Sequence, residues 1–270
     1  MSWALIAGGS KGIGFSIAEA LAKRKYNLVL VSRNMAELQS AKNTLENRFN
    51  IKAEIFECDL SSDKSAELIF VWCSTKNLEV NILCNAAGLG GSKDFLDLPI
   101  EDLRRMIRTN LESPTALILS FIPILKKNAP SYILNVGSLA GFSPIPSKSV
   151  YSSTKSAILF FSFSLRQLLK SDDISVSCLC PGPVFTKPSI EKETINQLGR
   201  AGKKMAVKVS VVGELAVQGM LDHKMIIVPG KFSSLISYLL RIVPNRLLSH
   251  IFYSHQKKNT DNRNVNQTIQ

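Results

Sequence analysis

The chain has no uninterrupted apolar run long enough to cross a bilayer, for which roughly 18–20 residues are needed, although 45% of its 270 positions are apolar. The N-terminus, MSWALIAGGSKG, turns apolar at once, lacks a basic leading segment and breaks at Gly8 and Gly9. It reads as a buried strand rather than a secretion signal, and a cytoplasmic location is expected. The five cysteines, Cys58, Cys73, Cys84, Cys178 and Cys180, form an odd set with no Cys-x-x-Cys spacing. That argues against a disulfide framework; four of them lie in or beside apolar runs and are expected to be reduced core residues. The three histidines, His223, His250 and His255, show no metal-ligand spacing, so no metal site is expected. Acidic side chains are scarce, 21 Asp and Glu against 33 Lys and Arg, for a net charge of +12. The basic residues are dispersed along the chain, adjacent only in groups of two or three such as Lys203-Lys204 and Lys257-Lys258, unlike the clustered footprint of a nucleic-acid binder. No repeat of fixed short period occurs, which excludes a solenoid.

What the chain does have is a series of short, continuous apolar runs rich in Val, Ile and Leu: WALIAG, NLVLVS, KAEIFECDL, VNILCNAAG, SYILNVGS and ISVSCLCPG. Runs that are continuous rather than alternating mark strands buried on both faces. Segments with helical spacing separate them, at 14–25, 35–49, about 62–76, 100–127 and 149–170, and Pro114 is expected to kink or interrupt the fourth. Strand and helix in alternation predict a parallel sheet with helices on both faces, a doubly wound α/β domain over residues 1–230. Within it, the Pro-containing and polar stretch 183–207 is expected to form a mobile loop over a site. Residues 231–258 place large apolar side chains at helical spacing with basic residues between them, divided by Pro244, and 259–270 is polar and expected to be disordered.

Three places carry chemistry. After the first strand comes AGGSKGIG, with Gly8, Gly12 and Gly14 ahead of an amphipathic helix; glycines there allow a tight turn and let backbone N–H groups approach a pyrophosphate at the positive end of the helix. The second strand ends VLVSRN, where an NAD-preferring site would place an acid to hold the ribose 2′-hydroxyl. Here stand Ser32 and Arg33, with no carboxylate before Glu37. Arg33, joined by Lys11, can pair with a 2′-phosphate that a nearby carboxylate would repel, so NADP(H) is favoured over NAD(H). Finally, YSSTK at 151–155 sets a phenol and an ammonium four residues apart, on one helix face, where the ammonium would lower the phenol's pKa.

Taken with CDL at 58–60, NAAG at 85–88, TN at 109–110, GS at 137–138 and PGPVFT at 181–186, these stretches resemble the short-chain dehydrogenase/reductase family over about residues 3–230. The resemblance implies a single Rossmann-type domain. It implies Tyr151 as catalytic acid, Lys155 as its partner, Ser138 as the hydroxyl that orients the carbonyl, and Asn110 as the residue that holds a water in a proton relay. It also implies a cofactor site made of Gly8, Ser10, Lys11, Gly12, Ile13, Gly14, Ser32, Arg33, Asp59, Leu60, Asn85, Ala86, Ala87, Gly88, Tyr151, Lys155, Pro181, Gly182, Val184 and Thr186, with Asp59 and Leu60 beside the adenine. Two positions depart from the family pattern, Ala7 in place of its usual threonine and Ala86 in place of its usual second asparagine, which puts the stability of the glycine turn in doubt.

The expected function is therefore NADPH-dependent hydride transfer to a ketone or aldehyde, or the reverse, on a small-molecule substrate. Phe185, Ile190, Leu198, Met205 and Leu235 suggest a hydrophobic, lipid-like or acyl carbonyl compound. The competing expectation is a dinucleotide-binding sensor or scaffold without turnover. The family resemblance also implies a homodimer or homotetramer built through the helices at 100–127 and 149–170. Residues 231–258 are expected to pack on the domain or on another subunit, or to lie peripherally on an anionic membrane surface.

Overall fold

The computed structural model describes residues 2–90, 95–185, 202 and 205–254. Seven parallel strands form one sheet: β1 (Trp3–Ala7), β2 (Asn27–Ser32), β3 (Ala53–Glu57), β4 (Val80–Asn85), β5 (Ser131–Val136), β6 (Ile174–Leu179) and β7 (Ile226–Ile227). Their order is β3-β2-β1-β4-β5-β6-β7. The continuous apolar runs are strands because both faces are covered: Leu5 on β1 stands between Val29 of β2 and Leu83 of β4, and all three side chains are buried. A sheet with helices on only one side would have exposed alternate residues of the same strands.

One face is covered by α1 (Gly12–Lys23), α2 (Met35–Phe49) and α7 (Val209–Leu221), which bury Ile17, Leu21, Leu38, Leu45, Val212 and Met220 in one cluster, α1 lying on β1 and β2, α2 on β2 and β3, and α7 on β5, β6 and β7. The other is covered by α3 (Ser65–Thr75), α5 (Ser113–Lys127) and α6 (Ser149–Leu168), which contribute Ile69, Leu117, Phe121 and Leu165. The expected doubly wound α/β architecture is what the chain forms. Two further helices, α8 (Lys231–Ile242) and α9 (245–254), follow β7 and are separated by Pro244, as its missing N–H and fixed φ require.

The expected helix 100–127 is three pieces: α4 (Ile100–Ile107), a π-helical turn at Arg108–Glu112, and α5. Pro114 explains the break. In a continuous α-helix the N–H of residue 114 would bond to the carbonyl of Asn110; proline has none, and the backbone widens where Asn110 sits. Most of the expected 183–207 loop and the whole 259–270 tail lie outside the described residues.

Candidate active site

In a parallel sheet every strand ends at the same edge, and the two directions in which the chain winds leave a crevice where the strand order reverses. Here that point lies between β1 and β4. The glycine turn follows β1, Asn85 ends β4 with Ala86 to Gly88 following it, Ser138 follows β5 and Pro181 follows β6, so four separate stretches of sequence meet at one edge.

The turn after β1 is closed by backbone. Gly8 N–H donates to the Val31 carbonyl at 2.8 Å, and the Ala7 carbonyl accepts from both Ala86 and Ala87 N–H at 2.8 Å. These bonds hold the turn without the hydroxyl and amide that Ala7 and Ala86 lack. Gly8 has φ +88°, and a Cβ there would lie 2.6 Å from Ala87 N; a Cβ at Gly14 would lie 2.0 Å from the Gly8 carbonyl oxygen. Side chains are thus kept away from the N-terminus of α1, whose first turn carries no acid. A close backbone cradle facing a positive helix end fits a dinucleotide's pyrophosphate.

At the end of β2, Arg33 is exposed and the Ser32 hydroxyl accepts from Asn34 N–H at 3.4 Å. Glu37 changes the reading of this corner. It occupies the first turn of α2, its N–H capped by Asn34 Oδ1 at 2.9 Å, and its carboxylate turns back to accept from Lys11 Nζ at 2.6 Å and Ser10 Oγ at 3.2 Å. A capping position three residues beyond an Asn is visible in the sequence, but the turn that brings it onto Lys11 is not.

Several expected cofactor residues hold structure through their side chains. Asn85 is buried and donates from Nδ2 to Asn135 Oδ1 at 2.9 Å, and Asn135 in turn donates to Ser162 Oγ at 2.9 Å, a polar chain joining β4, β5 and α6. Val184 is buried with the α1 cluster, and Leu60 with the α3 cluster. Ile13 also packs against the α1 cluster. Asp59 Oδ1 accepts from Ser61 N–H at 2.9 Å and Ser61 Oγ at 2.7 Å, fixing the turn after β3. The Pro181 carbonyl accepts from Leu139 N–H at 3.0 Å, and Gly182 lies tight against Ser233 of α8. Thr186 falls outside the described residues.

The four residues expected to act on substrate come together. Ser138 caps the turn at Leu139–Phe142, accepting from Ala140 N–H at 3.1 Å, and it also hydrogen-bonds Tyr151 on the first turn of α6. Lys155, one turn on, places Nζ 5.9 Å from the Tyr151 ring centre and donates to the Val136 carbonyl at 2.8 Å. Asn110, in the π turn, accepts from Leu89 N–H at 2.7 Å and donates to the Leu89 carbonyl at 2.9 Å and to Thr154 Oγ1 at 3.1 Å. Thr154 itself donates to the Tyr151 carbonyl at 2.8 Å, so one hydroxyl ties the π turn to the tyrosine's own backbone. Thr154 was not singled out from the sequence; lying inside YSSTK, it has a place but no pattern of its own.

Electrostatics correct one expectation. The Tyr151 pKa is raised rather than lowered: burial raises it, the Ser138 hydrogen bond lowers it in part, and Cys180 adds to the rise. Lys155 is itself pulled down from 10.5 to about 8, because burial of the ammonium outweighs the opposing influence of Cys178 and Cys180. These two cysteines lie behind the site with sulfurs 3.7 Å apart. Their shared hydrogen bond and burial push Cys180 well up. All five cysteines are free thiols.

The family model for short chain dehydrogenase matches residues 2–197. The chain belongs to the short-chain dehydrogenase family, and its fold is the Rossmann type that the family shares. The very-long-chain 3-oxoacyl-CoA reductase of Rattus norvegicus is 34% identical over 200 residues, 72% of this chain and 64% of that protein. The very-long-chain 3-oxoacyl-CoA reductase-A of Danio rerio is 32% identical over 226 residues, 82% of this chain and 68% of its own length. The chain thus spans just under two thirds of the rat relative. Among solved structures, a short-chain dehydrogenase from Sphingobium yanoikuyae in complex with NADPH superposes with a TM-score of 0.78 at 26% identity, covering 89% of this chain and 92% of that one.

Proposed function

We propose that this chain is an NADPH-dependent reductase of a hydrophobic, acyl-type carbonyl compound, running in reverse as an alcohol dehydrogenase. The observation that carries the reading is the convergence of Ser138, Tyr151 and Lys155 beside Asn110, at the edge where the glycine turn forms its cradle. A sensor or scaffold has no chemical need for a paired hydroxyl and phenol at that place. Relatives named as 3-oxoacyl-CoA reductases support the acyl substrate, and a relative solved with NADPH supports the cofactor.

Bound NADPH supplies the hydride to the carbonyl carbon. Ser138 and Tyr151 donate hydrogen bonds to the carbonyl oxygen, and as the C–H bond forms and the C=O π bond breaks, Tyr151 hands its proton to the oxygen, giving an alcohol. Lys155 stands beside the phenolate that remains, and the π turn holds Asn110 where a water can return the proton. Arg33 and Lys11 supply the positive charge for a 2′-phosphate, which must separate Lys11 from Glu37 on binding.

The test is NADPH oxidation with 3-oxoacyl thioesters of increasing chain length. The reading expects kcat/KM to rise with chain length and NADH to serve poorly; equal turnover of short polar ketones would remove the acyl assignment. We further propose that the molecule is a homodimer or homotetramer through α5 and α6, which expose Leu119, Phe160, Phe163 and Leu168.

A further inference from the structure

Helix α8 carries apolar side chains on both of its sides. A helix on a globular surface buries its apolar stripe and turns polar side chains to water. In α8 the inward face holds Ser233 and Ser237, 0% and 1% exposed, with Ile236 and Leu240 partly buried beside them, while Leu235, Tyr238, Leu239 and Ile242 are between 47% and 61% exposed. These four stand at i, i+3, i+4 and i+7, a single stripe along one side of the helix. The serines explain the attachment: Ser233 Oγ donates to the Met205 carbonyl at 3.2 Å, Ser237 Oγ donates back to the Ser234 carbonyl at 2.7 Å, and their small side chains let the helix lie close to Gly182. Beyond Pro244 the pattern continues in α9, where Leu248 is buried while Leu247, Ile251 and Tyr253 are about half exposed.

The segment that carries this stripe has charge of one sign. Residues 223–260 contain no Asp or Glu and six Lys or Arg, Lys224, Lys231, Arg241, Arg246, Lys257 and Lys258. That is half of the chain's net charge of +12 in 38 of its 270 residues. Two copies of this face brought together would oppose like charges, whereas an apolar surface with anionic groups at its rim would match both features at once. The face also adjoins the site: the Arg241 guanidinium lies 5.4 Å over the ring of Phe142, in the turn that Ser138 caps, and a groove of about 720 Å³ runs between Pro146 and α9.

From this we infer that α8 and α9 form an interfacial anchor that lies flat on an anionic lipid bilayer, with Leu235, Tyr238, Leu239 and Ile242 set among the acyl chains and the Lys and Arg side chains at the headgroups. Among the described residues no helix is long and apolar enough to span a membrane, and the anchor needs none. The inference rests on exposure and charge, so it stands or falls separately from the reductase reading.

The experiment is vesicle co-sedimentation of the full chain with vesicles of phosphatidylcholine alone and of phosphatidylcholine containing about one third phosphatidylglycerol. The full chain should sediment with the anionic vesicles, remain in the supernatant with the neutral ones, and be released by added salt. The double variant Leu239→Glu with Ile242→Glu should bind at least about tenfold more weakly while its melting temperature and circular dichroism stay those of the parent. Failure of the parent to sediment with anionic vesicles overturns the inference, as does undiminished binding by the folded variant. If the parent is a larger oligomer than the variant without lipid, the stripe is a contact between copies and the inference is also overturned. Should the variant not fold, the dependence of the parent on lipid charge and salt decides the matter.

Discussion

At the scale of single residues, the buried ammonium of Lys155 makes the most specific demand. Its pKa falls from 10.5 to about 8 on folding, so below pH 8 it is charged in both states and burial costs stability in full. Between about pH 8 and 10.5 the unfolded chain holds a proton that the native one has released, and stability rises with pH across that window. Lys155→Met should therefore abolish most turnover yet raise unfolding free energy at pH 7, by on the order of 2–3 kcal/mol. The gain should shrink toward pH 10, and urea melts at several pH values would show it; a variant less stable than the parent at pH 7 would mean that the Val136 bond outweighs burial. Glu37 makes a second demand. With its carboxylate on Lys11 and Ser10, Glu37→Gln should lower KM for NADPH several-fold, leave KM for NADH nearly unchanged, and strengthen the preference of NADPH binding for low salt. Arg33 and Lys11 are legible in the sequence as a basic corner. The acid folded onto them is not, because its placement depends on where α2 starts relative to the glycine turn, 26 residues away in sequence.

Among elements, the π turn is where local sequence and active-site geometry meet. Pro114 withholds the N–H that an α-helix would give to Asn110, and the widened turn fixes Asn110 against Leu89 and Thr154. Pro114→Ala restores that N–H. We expect the helix to run through, Asn110 to shift, and kcat to fall about tenfold or more while KM for NADPH and the melting temperature change little; an unchanged kcat would show that the turn has another cause. The interruption was legible as a proline within a helical pattern, but whether the chain would bend, break or widen was not, since that depends on which neighbours can take up the displaced carbonyl. The strands were legible for a simpler reason: WALIAG and NLVLVS are apolar throughout, and only burial on both faces explains such runs. Asn85 was legible in place but not in contact. Its position at the end of β4 marked it for the cofactor site, and its side chain joins Asn135 across the sheet, a pairing 50 residues distant that no local pattern reveals.

For the molecule as a whole, two of the surfaces that carry exposed apolar groups differ in their surroundings. The α5 and α6 surface displays Leu119, 73% exposed, and Phe160, 66% exposed. Leu119→Glu with Phe160→Glu should reduce the solution mass measured by light scattering to that of one chain, while circular dichroism stays as in the parent; an unchanged mass would place the assembly elsewhere. The α8 and α9 surface belongs to a segment whose charged side chains are all basic and answers instead to anionic lipid. Composition alone showed a basic, moderately apolar chain with a short amphipathic extension. Which side of that extension faces the domain follows from Ser233 packing beside Gly182, a contact across 51 residues that no local pattern reveals.

The central claim is that Tyr151 protonates a carbonyl oxygen during reduction by NADPH. It is tested most directly by single-turnover NADPH oxidation with a long-chain 3-oxoacyl thioester, comparing the parent with Tyr151→Phe at saturating cofactor. The account predicts a loss of at least about 100-fold in rate with NADPH binding unchanged, since only the transferred proton is removed. Turnover by Tyr151→Phe within a few-fold of the parent would contradict it and require another group to supply the proton.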